Sequence, residues 1–247
     1  MVKQVLKSIV TKFSSHTKVK ADFKKEFLKK KELLSDNGRF LCRWEDHYAI
    51  FGESGSTTDF DAHYVYHTAW AARILAGKKP EVHIDISSDI RFVTLVSSFI
   101  PVKFYDYRPV DFTLSNLESK FGDLMALPFT DNSVSSLSCM HVVEHIGLQR
   151  YGDPIDAKGD IKAIAELTRV LKPGGHLYFV TPVGAEARIQ YNAHRIYTYK
   201  MVLSLFPDLI LEDFALVTDE GKFINNASES VADKQGYGCG CFLFTKR

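Results

Sequence analysis

The stretch MHVVEHIGLQRYGDP, Met140–Pro154, sets two imidazoles and a carboxylate in the order H-x-x-E-H at His141, Glu144 and His145. On one continuous helix this spacing lets both histidines share a zinc ion, as in a known zinc-peptidase pattern. Such a site needs a third protein ligand, for which Asp153, Asp156 and His194 are candidates. The flanking residues argue for other chemistry. His141 follows SVSSLSCM (133–140), which reads as a strand, so it falls at the strand end or in the turn, with His145 at the start of the next helix. Imidazole titrates near neutrality, so His145 at such a place can act as general base, contact a substrate or cap a helix.

Four cysteines stand at 42, 139, 239 and 241, none in C-x-x-C spacing. Cys239 and Cys241 flank Gly240 in a strand-like run and share a face. They can offer a pair of metal ligands, but packing as small apolar groups is the commoner use. Nothing suggests a disulfide framework, which fits a reducing, cytoplasmic setting.

These groups must be positioned by the surrounding elements. VHIDIS (82–87), VKFYDYR (102–108), part of KFGDLMALPF (120–129), SVSSLSCM and HLYFVTPV (176–183) read as strands. Helical periodicity runs through 158–171 and around Tyr199–Phe206. Two late strands, LILEDFALVT and CGCFLFTKR, have no long helix between them and can pair as a hairpin at one edge. The alternation predicts a Rossmann-like α/β domain: a seven-stranded, mostly parallel sheet with an antiparallel edge strand and helices on both faces. Thr58, with Asp61 three residues on, predicts a capping box for the helix AHYVYHTAWAARILAG, ended by Gly77 and Pro80. On that helix Tyr64, Tyr66, His67 and Trp70 form an aromatic stretch that reads as core or lid packing.

The chain has 247 residues and a formal net charge of +1, so no polyanion-binding field surrounds the whole molecule. Residues 1–34 hold ten lysines against Asp22, Glu26 and Glu32, an excess of seven positive charges that leaves the remainder six negative. That balance speaks against a nucleic-acid partner, because no basic stripe runs along the rest of the chain. In MVKQVLKSIVTKF the residues Val2, Val5, Leu6, Ile9, Val10 and Phe13 line one helical face, with lysines off it. Such a helix can dock on the domain, join a partner subunit in a homodimer, or lie as a peripheral contact on the inner face of a membrane. No run approaches a membrane span, and no signal-peptide core is present. The expected division is a basic helical N-terminal extension, 1–58, and an α/β domain, 59–247.

The series GDLMALPFTDNSVSSLSCMHVVEHI, a helix, then RVLKPGGHLYFVTPVG resembles the class I S-adenosylmethionine-dependent methyltransferases from Val82 to about Thr245. TDFDAHYVYHTAWAAR, HIDIS, EHIGLQRYGDPIDAKG and YNAHRIYT further resemble small methyltransferase-like proteins of bacterial surface-polysaccharide gene clusters. The resemblance implies S-adenosylmethionine as cofactor. It puts Asp85 at the end of strand one against the methionine amino group, with Ser87 in the following loop. Asp106 at the end of strand two would accept the ribose hydroxyls, and Asp123 would bond the adenine amino group between Leu124 and Met125. One departure concerns the family's glycine-rich first loop, here DISSDIRF, where Ser87 and Asp89 stand at glycine positions and Arg91 follows.

For catalysis the resemblance implies an acceptor beside EHI, a small molecule or a glycan. His145, His141 and His194 are the candidate bases, and Arg150, Tyr151, Asp153 and Arg195 the candidate substrate contacts. The expected reaction is O-methylation of a sugar in a surface polysaccharide or its precursor. Two other readings stay open: a catalytically inactive binding protein on the same fold, and a zinc-dependent hydrolase using H-x-x-E-H.

Overall fold

A computed structural model of the chain describes residues 22–34, 40–50 and 56–247, which divide into two compact units, Met1–Asp59 and Phe60–Arg247. The basic stretch Val2–Phe13 lies outside the described residues. Within the first unit, helix α1 spans residues 22–34 and a 3-10 turn spans Trp44–Asp46. The Phe23, Phe27 and His47 rings gather on the half-buried Trp44, at centroid distances of 5.9, 5.3 and 4.2 Å.

The second unit begins with helix α2 (Ala62–Lys78). Asp61, rather than Thr58, is its N-cap: the Asp61 carboxylate accepts the Tyr64 N–H at 3.2 Å. A carboxylate one turn further on both accepts that N–H and faces the positive end of the helix, which the Thr58 hydroxyl cannot match. The helix also runs past Gly77 and closes at Lys79, whose left-handed φ of 48° lets its N–H reach Leu75 O. Its inner face buries His67, Trp70, Ala71 and Leu75, and Trp70 Nε1 donates to Asp213 at 2.9 Å.

Eight strands form the central sheet in the order β3-β2-β1-β4-β5-β10-β8-β9. β1 (His83–Ile86), β2 (Val102–Asp106), β3 (Leu117–Phe121), β4 (Val134–Met140) and β5 (Leu171–Val183) run parallel. β10 (Gly238–Lys246) enters antiparallel between β5 and β8 (Leu209–Val217), with Gly238 opposite Val183 and Cys239 opposite Val217. The expected antiparallel strand therefore lies inside the sheet. The edge is the two-residue β9 (Phe223–Ile224), which brings the expected seven strands to eight. β10 is buried over Gly238–Phe244, as a strand bonded on both sides must be. β3 also starts earlier than the apolar run LMALPF suggests. Asp123 and Ala126 close a tight turn there, so Leu124 and Leu127 enter the core from a loop.

Helix α3 (Ile90–Val96) packs with α2 on one face, around Trp70, Leu75, Phe92, Val93, Phe104 and Tyr178. Helices α4 (Gly159–Val170) and α5 (Tyr199–Leu205) cover the other, around Leu137, Ile164, Leu167, Phe179, Phe206 and Phe242. A short hairpin, β6 (Arg188–Gln190) with β7 (His194–Ile196), and the one-turn helix α6 (Glu229–Ala232) complete the unit. Two apolar layers thus clamp a sheet whose parallel strands all end at one rim, where open α/β sheets bind ligands.

Candidate functional site

At that rim a cavity of about 330 Å³ opens beside the ends of β1, β2 and β4, within the range of small-molecule sites. Ser87, Asp106, Asp123, Leu124, Met125, His141, His145, Tyr151 and Asp153 line it, together with Tyr107, Arg108, Val142, Ile146 and Pro154, which sequence reasoning did not single out. In Asp106 and Asp123 one carboxylate oxygen is taken by a local backbone N–H: Arg108 N at 2.7 Å and Met125 N at 2.8 Å. The second oxygen of each is left for a ligand. A wider depression of about 770 Å³ between α2 and α3 is mostly apolar. Of its carboxylates, Asp89 caps α3 and is paired with Arg91, and Asp61 caps α2 through one oxygen; the smaller cavity is the one that gathers two carboxylates and His145 at the strand ends.

The loop after β1 keeps a glycine-like shape without glycine. Ser87 takes φ 54°, in the left-handed region, while its N–H donates to Tyr105 O at 2.8 Å. Asp89, at a glycine position of the loop, accepts from Arg91 N at 2.8 Å and pairs with the Arg91 guanidinium at 2.6 Å, which offsets its charge. Asp85 does not reach the cavity. It is wholly buried, accepts the Ser88 N–H at 3.0 Å and bonds the Ser138 hydroxyl. Ser138 Oγ lies 2.8 Å from His83 Nε2, and His83 Nδ1 lies 2.8 Å from Ser136 Oγ. Burial pushes the Asp85 carboxyl up to about 7 and the His83 ring down to about 3. The sequence signal for this network was the alternation of His83 and Asp85 with the serines of β4, which places all four on one side of the sheet.

Above the sheet the H-x-x-E-H segment is not a helix. His141 follows the last residue of β4 with φ 58°, Val143–His145 form a 3-10 turn, and α4 begins only at Gly159. The two histidines therefore diverge. His141 Nδ1 bonds the buried Glu144 carboxylate at 2.9 Å, and its Nε2 faces Cys239 Sγ at 3.3 Å. His145 Nδ1 meets Ala193 O at 2.8 Å. Because a carbonyl only accepts, the His145 proton sits on Nδ1 and the lone pair is on Nε2, 3.4 Å from Arg150 Nη1. Burial holds the His145 and His194 pKa values below the ordinary imidazole value. Burial also lowers His141, but the Cys239 sulfur and the Glu144 carboxylate outweigh it and hold that ring up, to about 10. His194 stacks on Tyr237 at 5.0 Å and approaches His145 at 6.1 Å, its Nε2 buried without a partner. It is not on the cavity wall.

The expected substrate contacts divide. Tyr151 is half exposed on the cavity wall, with the Arg108 and Arg150 guanidinium carbons 5.2 and 5.1 Å from its ring centre. Arg150 also donates to Ala193 O at 3.2 Å. Asp153 ties its own loop, accepting from Gly147 N at 2.8 Å and from the Gln149 and Tyr151 amides. Arg195 is buried away from the cavity, donating to Ile146 O at 2.7 Å and pairing with Asp160 at 3.6 Å. Its role is to hold the loop that carries Tyr151. Among the described residues, the histidines that gather with a third ligand atom are His63 and His141, with Cys239, all within 4.8 Å. The combination of His145 with Asp153, Asp156 or His194 does not assemble, because the 3-10 turn aims His145 at Ala193.

No helix among the described residues is long and apolar enough to cross a membrane. A family described as a Caenorhabditis protein of unknown function, DUF268, matches residues 128–219, which include His141, Glu144, His145 and His194. No curated protein matches the sequence. In three dimensions the chain is similar to the [4+2]-cyclase SpnF, with a TM-score of 0.54 at 16% identity over 72% of this chain and 80% of that one. The 1,6-didemethyltoxoflavin-N1-methyltransferase of Burkholderia thailandensis, with bound S-adenosylhomocysteine, gives a TM-score of 0.53 at 12% identity over 93% and 89%. The N-methyltransferase NodS of Bradyrhizobium japonicum WM9, also with S-adenosylhomocysteine, gives 0.51 at 14% over 76% and 89%. What this chain shares with them is the mostly parallel, Rossmann-like methyltransferase fold.

Proposed function

We propose that this protein is a methyltransferase that uses S-adenosylmethionine and methylates a hydroxyl of a small polar acceptor, with His145 as the base. One observation carries the reading. Asp106 from the end of β2, and Asp123, Leu124 and Met125 from the turn after β3, line one cavity together with His145. Its size and donor set suit an adenosyl group: a free carboxylate oxygen for adjacent hydroxyls, another for an exocyclic amine, and apolar side chains for a ring. The cofactor would supply an electrophilic methyl group. Two of the similar structures are described with S-adenosylhomocysteine bound, and one neighbour is a cyclase, so fold alone does not decide the reaction.

The chain's own residues define the rest. A sugar hydroxyl is a weak nucleophile at neutral pH, and His145 Nε2, uncharged there, can take its proton. Tyr151, flanked by Arg108 and Arg150, offers an aromatic face with cationic donors beside it, which suits a polyhydroxyl ring. The finer assignment, a sugar of a surface polysaccharide or its precursor, rests on the resemblance of the Asp59–Tyr199 stretch.

Calorimetric titration with S-adenosylhomocysteine tests the cofactor. Binding is expected in the wild type, and Asp106→Ala should weaken it by about 10- to 100-fold, the worth of hydrogen bonds to a charged acceptor. No heat at millimolar ligand would leave the fold as a non-catalytic binding protein. The base is tested separately, by methyl incorporation from labelled S-adenosylmethionine into monosaccharides and nucleotide sugars. His145→Gln should lower the rate by about 100-fold or more and leave S-adenosylhomocysteine affinity unchanged. Because the base must be neutral, the wild-type rate should fall on the acid side, below the ordinary imidazole range.

A further inference from the structure

Beside the cavity, three groups from distant parts of the chain meet: His63 in the first turn of α2, His141 at the tip of β4 and Cys239 near the start of β10. We propose that His63, His141 and Cys239 form a binding site for a divalent transition-metal ion, zinc being the best match, with Glu144 as the carboxylate that orients His141. This inference does not depend on methyl transfer.

The ligand set comes first. One atom from each residue lies within 4.8 Å of the others, so one ion can be reached from all three. His141 Nε2 and Cys239 Sγ are already 3.3 Å apart, close to the roughly 3.5 Å that separates tetrahedral nitrogen and sulfur ligands of zinc. Closing the site asks only for adjustment of the half-buried His63 ring, a two-torsion side chain. Two imidazoles and a thiolate suit zinc and exclude magnesium or calcium, which take oxygen ligands.

The surroundings supply a second, independent argument. His141 Nδ1 is engaged by Glu144 Oε1 at 2.9 Å, with both side chains almost wholly buried. This carboxylate–imidazole pair turns the opposite ring nitrogen toward Cys239, as outer-shell carboxylates do in metal centres. The other Glu144 oxygen is buried without a hydrogen-bond partner, as is His67 Nε2, whose ring lies 5.0 Å from that of His141. His141 takes this position with a left-handed φ of 58°. The ring planes of Tyr64 and Tyr237 close over the cluster at 5.4 Å from His141 and 4.9 Å from His63.

Coordination needs Cys239 as thiolate and a free lone pair on each imidazole, so any proton on these atoms is released to solvent on binding and affinity must rise with pH. Three protein ligands leave one coordination position for water or for an oxygen or sulfur atom of a bound molecule. His141 also borders the cavity, so that position lies near its ligand.

The test uses the full chain, stripped with chelator and titrated with Co²⁺ and then Zn²⁺. One equivalent of Co²⁺ should produce the near-ultraviolet thiolate-to-metal charge-transfer band, and Zn²⁺ should displace it. His63→Gln, at a half-exposed position, should fold and weaken the metal at least tenfold, and Glu144→Gln should weaken it by about 10- to 100-fold. Cys239→Ser should lose the band, whereas Cys42→Ser should keep it. If the wild type shows no band, or if Cys239→Ser and His63→Gln bind Co²⁺ as the wild type does, the contact is a plain thiol–imidazole hydrogen bond and the inference fails. S-adenosylhomocysteine titration of the same samples reads the cofactor site separately.

Discussion

Gly147→Ala is expected to cost about 3 kcal/mol or more of stability and to abolish ligand binding in the cavity. Gly147 has φ 77°, and a Cβ built on it would lie 2.1 Å from the backbone oxygen of Asp156 and 3.0 Å from its carbonyl carbon. Neither neighbour is a flexible side-chain tip. Asp156 N also donates to Gly147 O at 3.0 Å, so the two segments are stitched at the contact. Relief must separate residues 146–158 from one another. That would take Tyr151, Asp153 and Pro154 off the cavity wall and strand the carbonyl of Ile146 that Arg195 holds. Gly152→Ala is the matched control. Gly152 has φ 86° but nothing within 4 Å of the added atom, so only the backbone penalty of about 1 kcal/mol applies. Urea unfolding of both variants decides the matter: equal losses would mean that the close approach at Asp156 is unimportant.

Asp85→Asn and His83→Gln should give stability profiles that slope in opposite directions with pH. In the folded state His83 is neutral down to about pH 3 and Asp85 protonated up to about 7, both because burial disfavours charge. In the unfolded chain the same groups have ordinary values of 6.5 and 3.8. Between about pH 4 and 6.5 each state of the wild type therefore binds one proton across the pair, on His83 when unfolded and on Asp85 when folded. The two contributions cancel and the pair adds no slope. With Asp85→Asn, only His83 remains. Its depressed folded pKa makes stability fall as pH drops from 6.5. With His83→Gln, the raised Asp85 pKa makes stability fall as pH climbs from 4 toward 7. Each slope can approach 1.4 kcal/mol per pH unit. Parallel profiles for the two variants would show that the Ser138-linked pair does not titrate in this way.

Much of this fold was legible because local pattern and tertiary role agree. The periodicity of 158–171 becomes α4 at Gly159–Val170, and the alternating or continuous apolar runs become β1, β2, β4 and β5. The third strand was misplaced because LMALPF is apolar for a reason other than strand formation: its leucines plug the core from a turn. The place of β10 depends on what it pairs with, and pairing partners leave no local trace. Site residues divide in the same way. Asp106 ends β2, and Asp123 and His145 lie in the turns that follow β3 and β4, where order along the chain fixes position. Arg195 looked like a ligand contact but is taken by backbone groups away from the cavity, whereas Asp153 both ties its loop and lines the cavity. The proximity of His63 and Cys239 to His141 joins α2, β10 and β4, and no spacing in the sequence announces it.

The insertion of β10 between β5 and β8 also governs how the protein must be made. Both neighbours leave the ribosome first, and each carries a bare row of amide and carbonyl groups until the strand between them arrives. A partly synthesised chain is therefore doubly adhesive at its apolar centre. The same edges that will receive β10 can capture a strand from a neighbouring nascent polypeptide, so yield in cells is a contest between completing translation and clumping.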